Sequence, residues 1–574
     1  MLLSSRATPP QPLKLAGPER YLSIKSLLPS TPIPSPSLPS ILPRHGKKPP
    51  KLNSRRFVRA LLWLSLLIGV YYLATSGKKV DPHSTDSAVL TSLGNVYEGG
   101  EALELPDRPT PLALMDGKGK RHWTVWIPPS RGFPLPSSEY ADLCSQAENV
   151  AGHVAGRRRS SQKSQQQDYM RHDPNYLDVD EAQARHFLPT GAEKKNVDST
   201  ATPQQTSLPV CNSTLTYVLD ATDAGLGSAL LGIWLSYGLA ERENRSFFID
   251  DSNFPYGNYS TFFIPPTPPP CRPPVPSHRV PCPHQAKHVV VSAATTTKWT
   301  FGESFRRQYS QREIFAMART GYEALFKLRK DDDDYVRTRT MKLRTGTLTK
   351  TNPSAAVGDR DGEGEGDRQE NGLLGIHIRR GDRHPYEFAY QLGYLPPDRY
   401  LSMARKLVGQ SERWKLILAS DDAEMYDNLD LPDTVRAQQR ISLASKKSLG
   451  SGLGWEGGFF KDVFWSLGLP AGAPTKAETS YSRESLPQSS TQQVDGSGGR
   501  DYRTDPTKEA LRLRELLGRA YLLDLAVLAQ SDKVVCGVSS HACRILAVML
   551  GWERAFQNND WTNVDGDYGW KALD

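Results

Sequence analysis

His377-Ile378-Arg379-Arg380-Gly381-Asp382 directly follows the apolar run Leu373-Leu374-Gly375-Ile376. An apolar run that breaks into charge reads as a buried strand reaching its end, and open α/β sheets hold their ligands at the carboxyl ends of strands. Each arginine brings a fixed charge and a planar fork of donors suited to phosphate oxygens. The hexapeptide therefore points to diphosphate binding. Taken alone, it also reads as a surface turn with a salt-bridged Arg-Arg-Asp, so the surrounding sequence has to decide.

Upstream, Leu215–Leu219 reads as a strand and Asp220–Ser228 as a glycine-containing turn. Ala229–Glu241 has the i, i+3, i+4 spacing of a helix, and Ser246–Asp250 reads as the next strand. Together they form a βαβ unit whose glycine turn, with Gly225 and Gly227, can approach a phosphate closely. His288–Ser292 is a further strand and Arg312–Lys330 an amphipathic helix. After the arginine motif come a helix near Asp398–Val408 and the strand Trp414–Ala419, which runs into Ser420-Asp421-Asp422. Leu511–Ala529 reads as a helix, Lys533–Cys536 as a strand, and Ser539–Leu550 as a turn entering a last helix. Alternating strands and helices predict α/β architecture with parallel sheets in two lobes.

The flanking sequence has a different character. Of the net charge of +8, residues 1–79 contribute +12 (thirteen Lys/Arg against one Glu), which leaves −4 for residues 80–574. The basicity belongs to the tail, which argues against nucleic acid as a partner. Residues 1–56 are rich in Pro, Ser and Lys and are expected to be a disordered cytosolic tail. Residues 57–76 carry an uncharged apolar run, Ala60–Thr75, behind a cluster of Lys and Arg. This predicts one transmembrane signal anchor with the C-terminal part in the lumen. Residues 77–207 are expected to form a largely disordered luminal stem, and 208–574 the catalytic domain, with low-complexity insertions at 331–371 and 471–507.

A luminal address favours disulfides among the six cysteines. Spacing suggests the local bridges Cys271–Cys282 and Cys536–Cys543, leaving Cys144 with Cys211. Asn212, Asn244 and Asn258 head three glycosylation sequons. The Asp-x-Asp pairs that could hold a metal (Asp178/Asp180, Asp359/Asp361, Asp565/Asp567) fall in the stem, an insertion and the tail.

Three blocks in order, Gly375–Asp382, Leu416–Asp422 and Leu523–Cys536 with its continuation Ser539–Arg544, resemble the fucosyltransferases that share an H-x-R-R-x-D box. They are most similar to the α1,6 enzymes of core fucosylation. The resemblance spans roughly residues 215–556 and implies a two-lobed, Rossmann-like, GT-B-like fold that uses GDP-fucose and inverts the anomeric centre. It places Arg379 at the donor diphosphate with Arg380 as its neighbour in the donor site, and His377 and Asp382 around the nucleotide. Asp421 and Asp422 fall near the guanosine, Asp524 at the guanine or its surroundings, and Ser539 and Ser540 facing the phosphates. Glu387 falls where the α1,6 enzymes keep their proposed general base, and Cys536–Cys543 matches a clamp of the third block. The chain departs from the family in His541, which replaces a glutamine, in Arg383, which replaces a lysine, and in lacking a downstream SH3-like module.

The expectation is a Golgi type II membrane enzyme that moves fucose from GDP-fucose to a glycan, the N-glycan core first, with no metal or other cofactor. Other oligosaccharide or protein acceptors are the alternative. A membrane-anchored pseudo-enzyme that binds glycans or GDP-sugars is the reading from another class.

Overall fold

In the computed structural model the described residues are 97–98, 105–156, 169–190, 207–220, 225–345, 371–380, 394–409, 411, 413–442 and 506–573. All lie within one unit, Asp86–Asp574. The expected cytosolic tail and membrane anchor lie outside them. Among the described residues no helix is long and apolar enough to cross a membrane.

In chain order the principal elements begin with β1 (Tyr97–Glu98), β2 (Thr110–Met115), β3 (Arg121–Trp126), α1 (Ser137–Val154) and α2 (Val179–Ala184). Next come β4 (Thr214–Val218), α3 (Leu226–Arg242), β5 (Ser246–Asp250), β6 (His288–Val291), α4 (Gln311–Leu325) and α5 (Lys330–Thr345). The chain then runs through β7 (Gly372–Ile378), α6 (Pro397–Val408), β8 (Trp414–Ser420) and β9 (Thr434–Arg436). It finishes with α7 (Lys508–Ala529), β10 (Lys533–Cys536), α8 (His541–Leu550) and β11 (Trp561–Asn563).

Two all-parallel sheets organise the molecule, one ordered β5-β4-β6 and the other β11-β10-β7-β8-β9. The mixed α/β architecture with parallel sheets is therefore as the sequence predicts. In the larger sheet both faces are covered. Leu374, Ile376 and Ile378 pack with Tyr400 and Leu401 of α6, while Leu373, Ile417 and Val534 join the core that contains Leu522 and Leu525 of α7. Burial on both faces is why these strands read as continuous apolar runs rather than alternating ones.

In the smaller lobe α3 is apolar almost all round, and glycines set its closest contact. A Cβ on Gly238 would lie 2.1 Å from the Met317 carbonyl oxygen, and one on Gly321 2.0 Å from that of Trp234. Backbone therefore crosses backbone at the α3–α4 contact.

The expected structureless stem is corrected over 105–156 and 169–190. β2 and β3 pair antiparallel around a turn in which Asp116 Oδ1 accepts from the Lys118 and Lys120 amides. Helix α1 buries Tyr140, Leu143, Cys144, Ala147 and Val150, a helical stripe that joins the main core. The sequence spaced this stripe correctly, but polar Ser, Gln and Glu between its members hid it. The segment is fastened to the smaller lobe: Asp178 Oδ1 accepts from the Lys287 amide at 2.7 Å.

The disulfides are Cys144–Cys282, Cys211–Cys271 and Cys536–Cys543. The last agrees with the expectation, and the first two replace Cys271–Cys282 and Cys144–Cys211. The reason is local pairing. The Cys211 amide donates to the Arg272 carbonyl at 3.0 Å, which lays residue 211 beside 271 and leaves Cys282 to face α1.

Both insertions shrink at their edges. Residues 330–345 form helix α5, and the Asn371 amide donates to the Arg344 carbonyl at 3.0 Å, so both edges of the expected insertion are ordered backbone. Thr507 belongs to α7 as its N-cap, accepting from the Ala510 amide at 3.1 Å.

Candidate active site at the switch point of the larger sheet

From β7 the chain proceeds to β8 and β9 on one side, then crosses to β10 and β11 on the other. The carboxyl ends of β7 and β10 thus flank a topological switch point, where open sheets form a crevice. β7 ends in His377-Ile378-Arg379-Arg380, and β10 in Cys536 followed by Gly537-Val538-Ser539-Ser540. The motif and the serine turn, far apart in sequence, are neighbours because Cys536 pairs with His377.

Strand alternation divides the two arginines. Ile376, Ile378 and Arg380 face α6, whereas His377 and Arg379 face α7. Arg380 is occupied on its side: Nη2 donates to the Leu395 carbonyl at 2.8 Å, and the guanidinium lies 4.8 Å from the Tyr394 ring centroid. Its amide donates to Asp421 Oδ1 at 2.7 Å, which ties the end of β7 to the end of β8. Arg379 instead brings its charge near His377 and half-buried Tyr521 of α7. Burial first, and Arg379 second, push the His377 imidazole down to about 4, so this ring is neutral at physiological pH.

On the β10 side, the turn before α8 is held from beneath. Asn563 Oδ1 accepts from the Val538 amide at 2.9 Å, and the carboxylate of Asp565 from the Ser539 amide at 3.2 Å. Ser539 and Ser540 are themselves buried, and Ser540 is the N-cap of α8. Cys543, in the first turn of α8, is bonded back to Cys536 at the end of β10. The positive end of the α8 dipole therefore opens beside Arg379's strand.

A second helix start joins it. A Cβ on Gly227 would come within 2.6 Å of the Tyr521 hydroxyl and 2.9 Å of His541 Cβ, so only glycine lets α3 approach α7 and α8 this closely. A Cβ on Gly225, the N-cap of α3, would meet nothing within 4 Å. The glycine turn, the serine turn and the arginine strand end thus converge.

At the β8–β9 edge lies the carboxylate group. Asp422 caps the short 3-10 helix Ala423–Asp427, accepting from the Glu424 amide at 2.9 Å, which is a structural duty. Asp524 of α7 is buried and accepts from the Gln438 amide at 3.3 Å. Burial holds its carboxyl well above the usual range, against the Gln438 amide and the Arg436 charge. In its protonated form a carboxyl offers a donor and an acceptor together, as the edge of a nucleobase requires.

Asp382 and Glu387 lie outside the described residues. Sequence reasoning missed Asn563, Asp565, Gln438, Arg436 and Tyr521. The polar pair in Asn563-Val564-Asp565, directly behind an aromatic strand residue, was the available signal for the first two. Asn212, Asn244 and Asn258 are all exposed. Among the described residues no group of three or more His, Cys, Asp or Glu is placed to hold a metal ion.

No protein-family model matches the chain, and no curated protein matches it. Among solved structures it is similar to the NodZ α1,6-fucosyltransferase soaked with GDP-fucose, at 13% identity and a TM-score of 0.29, over 59% of this chain and 92% of that one. The same enzyme co-crystallised with GDP matches at 12% identity and a TM-score of 0.28, over 58% and 91%. The fucosyltransferase NodZ from Bradyrhizobium matches at 13% and 0.30, over 58% and 93%.

Proposed function

We propose that the chain is an inverting fucosyltransferase that binds GDP-fucose at the carboxyl ends of β7 and β10. The observation that carries this is the convergence of the α3 start at Gly225–Gly227, the β7 end at Arg379 and the Ser539-Ser540 turn at one switch point of one parallel sheet, with Asp524 at the neighbouring β8–β9 edge. Departure of GDP develops negative charge on the diphosphate. A fixed guanidinium and the amides of a helix start stabilise such charge without reorganising. The buried carboxyl of Asp524, with Gln438 and Arg436 beside it, takes the nucleoside end. In this scheme the positive charge is supplied by protein groups.

Glu387 is the general base of the proposal. Its carboxylate removes the proton of an acceptor hydroxyl, the oxygen forms a bond to the fucose anomeric carbon, and the bond to the diphosphate breaks on the opposite face. The acceptor is a glycan, with α1,6 transfer to the N-glycan core first among candidates. The run at 57–76 makes the chain a single-pass type II protein of the Golgi in this reading.

The test is GDP release from GDP-fucose by the full-length chain, with a glycan panel read by mass spectrometry. Release that falls at least about 100-fold in Arg379→Ala supports the reading. Binding of GDP without release supports the membrane-anchored pseudo-enzyme, and equal release from the variant removes Arg379 from the mechanism.

A further inference from the structure

An amphipathic helix normally buries an apolar stripe. Helix α5 buries Asp332, Val336, Arg339 and Leu343, one per turn, and two of the four are charged. Each charge has a defined partner. The Asp332 carboxylate receives Arg519 Nε of α7 at 2.8 Å and Arg440 Nη1 at 2.9 Å. Arg339 Nη2 donates to the Arg436 carbonyl at 2.6 Å, and its Nε to the Ala437 carbonyl at 3.0 Å. Beside them, the Tyr335 hydroxyl accepts from the Gln439 amide at 2.7 Å.

All but one of these bonds end on residues 436–440, which leave β9 and supply the Gln438 amide that meets Asp524. Backbone hydrogen bonds from a guanidinium fix a segment in place as well as in direction, which simple apolar packing does not. A carboxylate shared by two arginines from different elements ties the segment to α7, the helix that carries Asp524.

We propose that Asp332 and Arg339 are positioning residues: they seat 436–440 against α7 and so set the Gln438–Asp524 contact that receives the nucleoside end of the donor. This rests on the donor site proposed above and deepens it. Neither residue touches the reacting atoms, so the effect falls on nucleotide affinity and not on turnover.

The test uses the full-length chain with Asp332→Asn, Arg339→Gln and, half-exposed on the same helix and paired with Arg337, Asp333→Asn. GDP affinity is measured by calorimetry, turnover at saturating GDP-fucose, and backbone hydrogen exchange along the chain. Asp332→Asn and Arg339→Gln are expected to weaken GDP about tenfold while kcat stays within about twofold, and to speed exchange over 434–441 with 371–380 unchanged. Asp333→Asn is expected to match the parent. Unchanged GDP affinity in both buried variants overturns the proposal, as does faster exchange spread over the whole chain. If the parent binds no GDP, the donor reading falls, and exchange alone decides the positioning: a local increase at 434–441 supports it and no increase overturns it.

Discussion

The molecule contains two parallel sheets, and their carboxyl ends have been treated in opposite ways. At the end of the β5-β4-β6 sheet, buried Asp220 accepts from the Ser137 hydroxyl of α1 and from the Ala293 amide. Asp250 closes β5 and is taken by Ser252, whose hydroxyl donates at 2.6 Å. Acidic groups and their donors fill that end, and α1 covers it. At the end of β7 and β10 the half-exposed side chains are Arg379 and Arg380, and α8 starts beside them on a turn held by Asn563 and Asp565. The same architecture thus yields one end lined by acidic groups and one lined by arginines. Chemistry at the strand termini, not the fold, distinguishes them.

The largest expected effect sharpens that contrast. Arg379→Ala removes the fixed charge at the arginine-lined end and is expected to lower GDP release by about 100- to 1000-fold, with the unfolding midpoint in urea nearly unchanged. A comparable loss of stability would move Arg379 from chemistry to scaffolding and erase the difference between the ends.

The next effect lies in the smaller lobe. Gly238→Ala and Gly321→Ala put a methyl into backbone at 2.1 and 2.0 Å, where no side chain can yield. Each is expected to cost about 3 kcal/mol or more in urea unfolding. A small cost would mean that α3 and α4 can separate, and that the α3 start at Gly225 is not rigidly presented to the site.

The larger sheet was legible because burial on both faces writes a continuous apolar run. Trp414–Ala419 was read within a residue of its observed limits, and Lys533–Cys536 and Ser246–Asp250 matched outright. The residues at the strand ends followed, since the charge break after Ile378 marks where β7 meets water. What stayed hidden depends on pairings between distant segments. Cys282 looks nearer to Cys271 than to Cys144 until α1 is known to lie against residue 282. Asp332 sits in an Asp-Asp-Asp-Asp run, where composition suggests a solvated loop, and only the partners Arg440 and Arg519 reveal a buried carboxylate. The split of Arg379 from Arg380 needed the strand's alternation and its flanking helices, which a motif alone does not carry.

Each sheet also holds one buried strand histidine, and here the two are alike in strength but not in partners. His288 of β6 shares a 3.1 Å hydrogen bond with Thr214, whereas His377 Nδ1 has no hydrogen-bond partner among the described residues. Burial holds both imidazoles down at about 4. The neutral ring is the form the fold accepts, so the contribution is complete above the unfolded value near 6.5 and is lost as pH falls towards 4. His377 accounts for up to about 3 kcal/mol of that loss. Urea midpoints measured between pH 7 and 4 are expected to fall across this window and to fall less in His377→Gln. A midpoint independent of pH would mean that the end of β7 opens to water.

The smallest effect is a designed negative. Asp220→Asn keeps the shape of the acidic end but weakens the bonds from Ser137 and the Ala293 amide, and is expected to cost about 1–2 kcal/mol of stability. Its GDP affinity should equal the parent's, because the Asp220 carboxylate is engaged by Ser137 and the Ala293 amide. Should Asp220→Asn instead change GDP affinity tenfold, the acidic end would be part of the donor site, and the two sheets would have to be read as one binding surface.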